Sequence, residues 1–224
     1  MTTVHDRREP SALTGRPLTG FPVVPHQTIG DFFDAYAAES AKGARSVDAG
    51  ALEAAAAILI AAYGRGSRVF CCGNGGSAAI ANHLLCDHVK GIRTGTDLAP
   101  RVTSLSASVE LLTAIANDIA FADVFAYQLQ AQASPGDVLI AISSSGRSPN
   151  ILRALAWAHS HSMATIALTG FDGGDAREIA DVSVHVEVAN YGIIEDLHHA
   201  IMHVLAQYIR QSRMTPEAIM TSVF

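Results

Sequence analysis

Two hydrophobic periods take turns along the chain. Short, nearly unbroken apolar runs (SRVFCCG, VTSLS, DVLIAIS, ATIALTG and VSVHVEV) stand between longer stretches whose apolar residues recur at helical spacing. Runs of this kind, separated by helical stretches of roughly ten or more residues, predict βαβ units and a mostly parallel sheet. The continuous apolarity of VLIAI and TIAL fits strands covered on both faces. Two helices precede the first strand. One runs from about Thr28 to Gly43. The other reads SVDAGALEAAAAILIAAYG, with Ser46 or Asp48 as its cap and Gly64 as its stop. A long last helix covers about Ile194–Ser212. Residues 1–28, with Pro10, Pro17, Pro22 and Pro25 among polar neighbours, read as an extended arm. The expected organisation is that arm (1–28), an α/β domain with a helical extension in front (29–214) and a tail (215–224).

Composition narrows the reading. The 224 residues are 49% hydrophobic and 16% charged, which excludes a disordered chain and implies one well-buried domain or extensive subunit contacts. With 15 basic and 21 acidic residues, a net charge of −6 and no basic cluster, no nucleic-acid partner is expected. No apolar run approaches the roughly 18 residues of a membrane span, so no membrane association is expected either. The opening MTTVHDRREPSALTGRP lacks the apolar centre of a secretory signal, and Cys71, Cys72 and Cys86 lack the spacing of a disulfide framework. A reduced, cytoplasmic protein is the expectation. The Ala-rich helix at 51–63 and the apolar face of the last helix offer more hydrophobic stripe than one sandwich needs, which points to self-association.

Two loops carry candidate chemistry. After the first strand stands Gly73-Asn74-Gly75-Gly76-Ser77, and after the third Ser143-Ser144-Ser145-Gly146-Arg147-Ser148-Pro149-Asn150, each opening a helix. Glycines at such turns allow close backbone approach, and helix N-termini offer free N–H groups to an anion. Either loop alone reads as an ordinary helix start. Two of them at the C-terminal ends of strands in one parallel sheet mark a ligand site. Gly73-x-Gly75-x-x-Ala78 also matches the dinucleotide fingerprint, although Asp97, the acidic residue at the right distance, precedes the strand VTSLS instead of ending it. No GK[ST] follows, which excludes a nucleotide-triphosphate loop of the Walker type.

Ten histidines against one tryptophan is the odd entry in the composition. His83 and Asp87 are four residues apart on one predicted helix. Glu195, His199 and His203 follow one another at the same interval on the last helix, drifting only about 80° around it. Imidazoles and carboxylates facing each other are ordinary zinc ligands. His5, His26, His88, His159, His161 and His185 are read as background, and His198 is left open.

The segments GNGGSAAIANHL, LTAIANDIAFADVFAYQLQA, GDVLIAISSSGRSPNILRA and ATIALTGFDGG resemble the sugar isomerase (SIS) family, and within it the phosphoheptose (sedoheptulose-7-phosphate) isomerases, over about residues 30–212. The resemblance implies a flavodoxin-like three-layer α/β/α sandwich, a homotetramer with active sites at subunit interfaces, zinc, and aldose–ketose isomerisation of a C7 sugar phosphate through an enediol. It implies that Asn74, Gly75, Gly76, Ser77, Ser143, Ser144, Ser145 and Ser148 hold the phosphosugar, with Asn117 and Asp118 as further contacts. It also implies a metal set of His83, Asp87, Glu195 and His203, in which Asp87 and His203 are the acid–base pair. Glu195 is the alternative base.

The chain departs from that pattern at several positions. Asp87 stands where the family has Glu, Glu195 where it has Gln, and His199 where it is usually apolar. Ile80 replaces an Asp, Ile193 an Arg, and Arg147 an Asn. Some SIS proteins are non-catalytic regulators or adaptors. His203, which that branch replaces, favours an enzyme here.

Overall fold

The computed structural model describes residues 20–224. Most of the expected arm, His5 included, lies outside them. The chain enters α1 (Ile29–Ser46) where the Thr28 hydroxyl accepts the Asp31 N–H at 3.1 Å. It enters α2 (Ala49–Gly64) where the Asp48 carboxylate accepts the Ala51 N–H at 2.7 Å. Asp48 is thus the cap, because Ser46 is occupied elsewhere: its hydroxyl donates to the Gly43 carbonyl and accepts the Glu187 N–H.

Five strands follow: β1 (Arg68–Gly73), β2 (Arg101–Ser104), β3 (Val138–Ser143), β4 (Ala164–Thr169) and β5 (Val182–His185). They form one sheet in the order β2-β1-β3-β4-β5, with every pairing parallel. This is the flavodoxin-like order, and its switch point between β1 and β3 opens a crevice above their C-terminal ends. It is not the dinucleotide-fold order, and Asp97 sits in coil before β2, so the fingerprint match carries no cofactor site.

Side chains alternate across this sheet and bury both of its faces. Val69, Cys71, Val138, Ile140 and Ile142 pack into one core with Leu59 of α2, Leu84 of α3 (Gly76–Cys86) and Met202 of α8 (Tyr191–Gln211). Phe70, Cys72, Leu139 and Ala141 pack into the other, with Ile115 of α4 (Val109–Ile115), Leu129 of α5 (Ala126–Gln132), Leu155 of α6 (Pro149–Ser160) and Ala176 of α7 (Gly174–Ile179). The three layers follow from that alternation. Ile80 and Ile193 belong to the first core.

Three local features differ from the sequence reading. The helix α8 starts earlier, at Tyr191, because the Asn190 side chain accepts the Ile193 N–H at 3.0 Å. After Cys86 the chain passes into a π-helical turn, Asp87–Ile92, instead of continuing as α-helix. Beyond α8 the tail holds α9 (Pro216–Thr221), capped by Thr215. No single helix among the described residues is long and apolar enough to cross a membrane.

Candidate active site

The crevice holds a cavity of about 150 Å³ lined by Asn74, Ser77, Ile142, Ser143, Ser144, Ser145, Ser148, Tyr191 and Glu195. The first loop can turn this tightly only with glycines. A Cβ on Gly73 would lie 2.5 Å from the Ser77 carbonyl, and Gly75 takes φ +54°. Asn74 is locked by a reciprocal amide pair with Asn150, both bonds 2.9 Å long. In the second loop the Ser143 hydroxyl accepts the Gly146 N–H and the Ser145 hydroxyl accepts the Arg147 N–H. Two hydroxyls are unspent: Ser144 Oγ is buried without a partner, and Ser148 stands at the start of α6 without making a capping bond.

No Lys or Arg lines this cavity. An anion placed there would meet hydroxyls, an amide and the N-terminal ends of α3 and α6. Arg147 points elsewhere, forming a two-pronged ion pair with Asp172. That pair ties the second loop to the turn after β4, where Gly146 packs so closely that a Cβ would sit 1.8 Å from the Gly173 carbonyl oxygen.

Next to the cavity, α3 and α8 bring ionisable side chains together. Asp87 receives His203 Nδ1 on Oδ2 at 2.5 Å and lies 3.3 Å from His83 Nε2 through Oδ1. The ring of His199 stacks on that of His203, with centroids 4.7 Å apart, and His83 meets both edge-on. One nitrogen from each of His83, His199 and His203 lies within 4.8 Å of the others. His199 Nε2 is buried and unpartnered, and burial together with the neighbouring His203 and His83 rings lowers the pKa of His199. Imidazole nitrogens gathered around a carboxylate, one of them without a protein partner, suit a divalent cation.

Glu195 stands apart from this cluster. Its carboxylate lies over Gly76, where a Cβ would come within 2.2 Å of Oε2, and it faces the cavity. The four-residue set His83, Asp87, Glu195 and His203 is therefore divided, with Glu195 about two helical turns up α8 from His203. Asn117 and Asp118 are exposed, bonded to each other at 2.8 Å, and outside the cavity of their own chain.

Two residues of the site were not read from the sequence. Tyr191 was detectable, since it precedes Glu195 by one helical interval. Nothing local marks Asn150 as the partner of Asn74. His88, His185 and His198 are held neutral by burial, each near a pKa of about 4. His88 pairs with the Tyr63 hydroxyl and His198 with the Thr169 carbonyl, which makes His198 a structural residue.

A family model described as SIS domain matches residues 32–170. The phosphoheptose isomerase of Mycobacterium tuberculosis is 40% identical over 172 residues, 74% of this chain and 85% of the relative. That of Thiobacillus denitrificans is 38% identical over 188 residues, 82% and 94% of the two chains. The solved phosphoheptose isomerase of Neisseria gonorrhoeae superposes with a TM-score of 0.75 at 32% identity, covering 82% of this chain and all of that one.

The chain belongs to the phosphoheptose isomerases of the SIS family. Within that family its departures now have places. Ile80 and Ile193 are buried core residues, away from the cavity lining. Arg147 braces the second loop from outside, Glu195 reaches the cavity, and His199 joins the histidine cluster.

Proposed function

We propose that this phosphoheptose isomerase interconverts sedoheptulose 7-phosphate and D-glycero-D-manno-heptose 7-phosphate. The observation that carries the reading is the adjacency, along one face of α8, of a donor-rich cavity without a basic side chain and a histidine–carboxylate cluster. The cavity suits the non-reacting phosphate end. Ser77, Ser144, Ser145 and Ser148 donate to the phosphate oxygens, while Asn74 is held rigid for its share by Asn150. The open-chain sugar then runs along α8 toward Glu195 and the cluster.

Isomerisation moves a proton between C1 and C2 and redistributes protons on the two oxygens. Glu195 is the carboxylate facing the sugar and carries the C1–C2 proton in this reading. Asp87 fixes the orientation of the His203 ring through Nδ1 and leaves the other ring nitrogen free. A divalent cation, zinc by the chemistry of the donors, would be held within the cluster of His83, Asp87, His199 and His203 and would supply a Lewis acid for the carbonyl oxygen.

The assembly proposed is a cytoplasmic homotetramer. Its support is the apolar surface around Asn117 and Asp118, where Val109, Ile119 and Phe121 are more than half exposed. A second copy covering that surface would bring Asn117 and Asp118 to a neighbour's site. The test of function is direct: zinc-loaded protein is incubated with sedoheptulose 7-phosphate and the aldoheptose 7-phosphate is followed by NMR. Conversion is expected, and its absence over a panel of C5–C7 phosphosugars overturns the reading. A sedimentation experiment returning only monomer would remove the tetramer.

A further inference from the structure

We propose that the cation of this site is bound by three imidazoles, His83, His199 and His203, with Asp87 behind them as an orienting carboxylate and Glu195 outside the coordination set. The inference rests on the isomerase reading only for the presence of a cation. It replaces the set expected from the family resemblance, in which Asp87 and Glu195 are ligands and position 199 contributes nothing.

Four observations carry it. First, the three rings already converge: their nitrogens lie within 4.8 Å, and the ligands of a tetrahedral zinc stand about 3.4 Å apart, so small ring rotations close the set. Second, His199 Nε2 is buried with no hydrogen-bond partner, which a polar atom tolerates poorly unless something else occupies the position. Third, both Asp87 oxygens are already turned toward rings, one on His203 Nδ1 at 2.5 Å and one 3.3 Å from His83 Nε2. A carboxylate behind a ligating imidazole fixes its tautomer and orientation, and for His203 it leaves Nε2 as the free donor. Aspartate, one methylene shorter than glutamate, is suited to that withdrawn place.

Fourth, Glu195 is directed away. Its carboxylate lies against Gly76 and faces the cavity, one helical interval, about 6 Å along the axis, from His199. Three protein ligands with a fourth position open is the catalytic form of a zinc site. Neutral imidazoles leave the cation its full charge, and a carboxylate that does not ligate stays available to take a proton. The two departures are then one change: His199 supplies the ligand that position 195 gives up.

The experiment titrates Zn²⁺ into metal-free, full-length protein against a chromophoric chelator, for the wild type, His199→Leu and Glu195→Gln, and counts imidazole ligands by zinc-edge X-ray absorption. Thermal unfolding without zinc checks that each variant folds, and His199→Gln replaces the leucine variant if that one does not. His199→Leu is expected to weaken Zn²⁺ binding by at least about 100-fold and to lower the imidazole count from three to two. Glu195→Gln is expected to change binding by less than about threefold. The inference is overturned by wild-type affinity in the His199 variant, by a Glu195→Gln loss as large as that of His199→Leu, or by a wild type that binds no Zn²⁺. Turnover of sedoheptulose 7-phosphate is read separately. Turnover with His199-independent zinc binding removes the three-histidine centre and keeps the isomerase. His199-dependent binding without turnover does the reverse.

Discussion

The two ends of the site are built from different materials. At the Tyr191–Glu195 end of α8, the partners are two loops whose glycines, hydroxyls and helix N-termini are set by backbone geometry. At the His199–His203 end, the partners are flexible side chains from α3 and the π-helical turn, brought together by helix packing. The first end offers no basic side chain and its loops have little room to move: Gly146 rests on the Gly173 carbonyl and Asn74 is clamped by Asn150. The second carries the histidines and Asp87 and can adjust by rotating rings. A rigid cradle with an adjustable reacting end suits an enzyme that holds a phosphate still while a proton moves at the far end of the sugar.

Substitutions should separate the two ends by what they damage. The largest effect is expected for His203→Ala, which removes the ring that Asp87 orients. kcat should fall by about 10³-fold with KM little changed and the circular dichroism spectrum intact. A variant retaining more than a tenth of the activity would place the chemistry elsewhere.

A pair of glycine variants sharpens the contrast. Gly76→Ala drives a methyl against the Glu195 carboxylate, which can swing aside, so kcat should drop by about 100-fold while stability stays within about 1 kcal/mol. Gly146→Ala puts a side chain on a residue held at φ +62° and drives its methyl into the Gly173 backbone, where nothing can yield; it should cost about 3 kcal/mol in urea unfolding. Equal stability losses for the two would mean that the Glu195 side chain yields no more than the Gly173 backbone.

Ser144→Ala should act on the phosphate end alone. It removes an unpartnered buried hydroxyl, so KM is expected to rise about tenfold with kcat unchanged and no loss of stability in the free protein. A further effect lies outside both ends. Burial, and next the Arg177 charge, hold His185 down to about 4 in the folded chain, against an ordinary value of 6.5. Burial holds His198 near the same value. The unfolded chain therefore binds more protons between those values, so the contribution of these residues is full above pH 6.5 and is lost as pH falls toward 4. Urea midpoints should already decline between pH 6.5 and 5, and a flat profile there would contradict the buried neutral assignment.

The same contrast governs what the sequence reveals. The cradle was legible because each loop is contiguous: strand, glycines or serines, then helix. So were the caps Thr28 and Asp48, which act within three residues of themselves. The reacting end depends on contacts such as Asp87 to His203, 116 positions apart, and only residue types and intervals hinted at it. The interval of four placed Glu195, His199 and His203 on one face, but not that Glu195 turns to the cavity while His199 and His203 join the histidine cluster. The π-helical turn at Asp87–Ile92 has no signature in DHVKGI, and the Asn74–Asn150 pair spans 76 positions. Both arise from packing between elements.

The account stands most directly on proton transfer between C1 and C2 of a phosphosugar held by the cradle. Zinc-loaded protein and sedoheptulose 7-phosphate in D₂O, followed by NMR, tests it in one measurement. The account predicts an aldoheptose 7-phosphate carrying deuterium at C2, with exchange at C1 of the recovered ketose. Recovery of sedoheptulose 7-phosphate without product and without deuterium would contradict it.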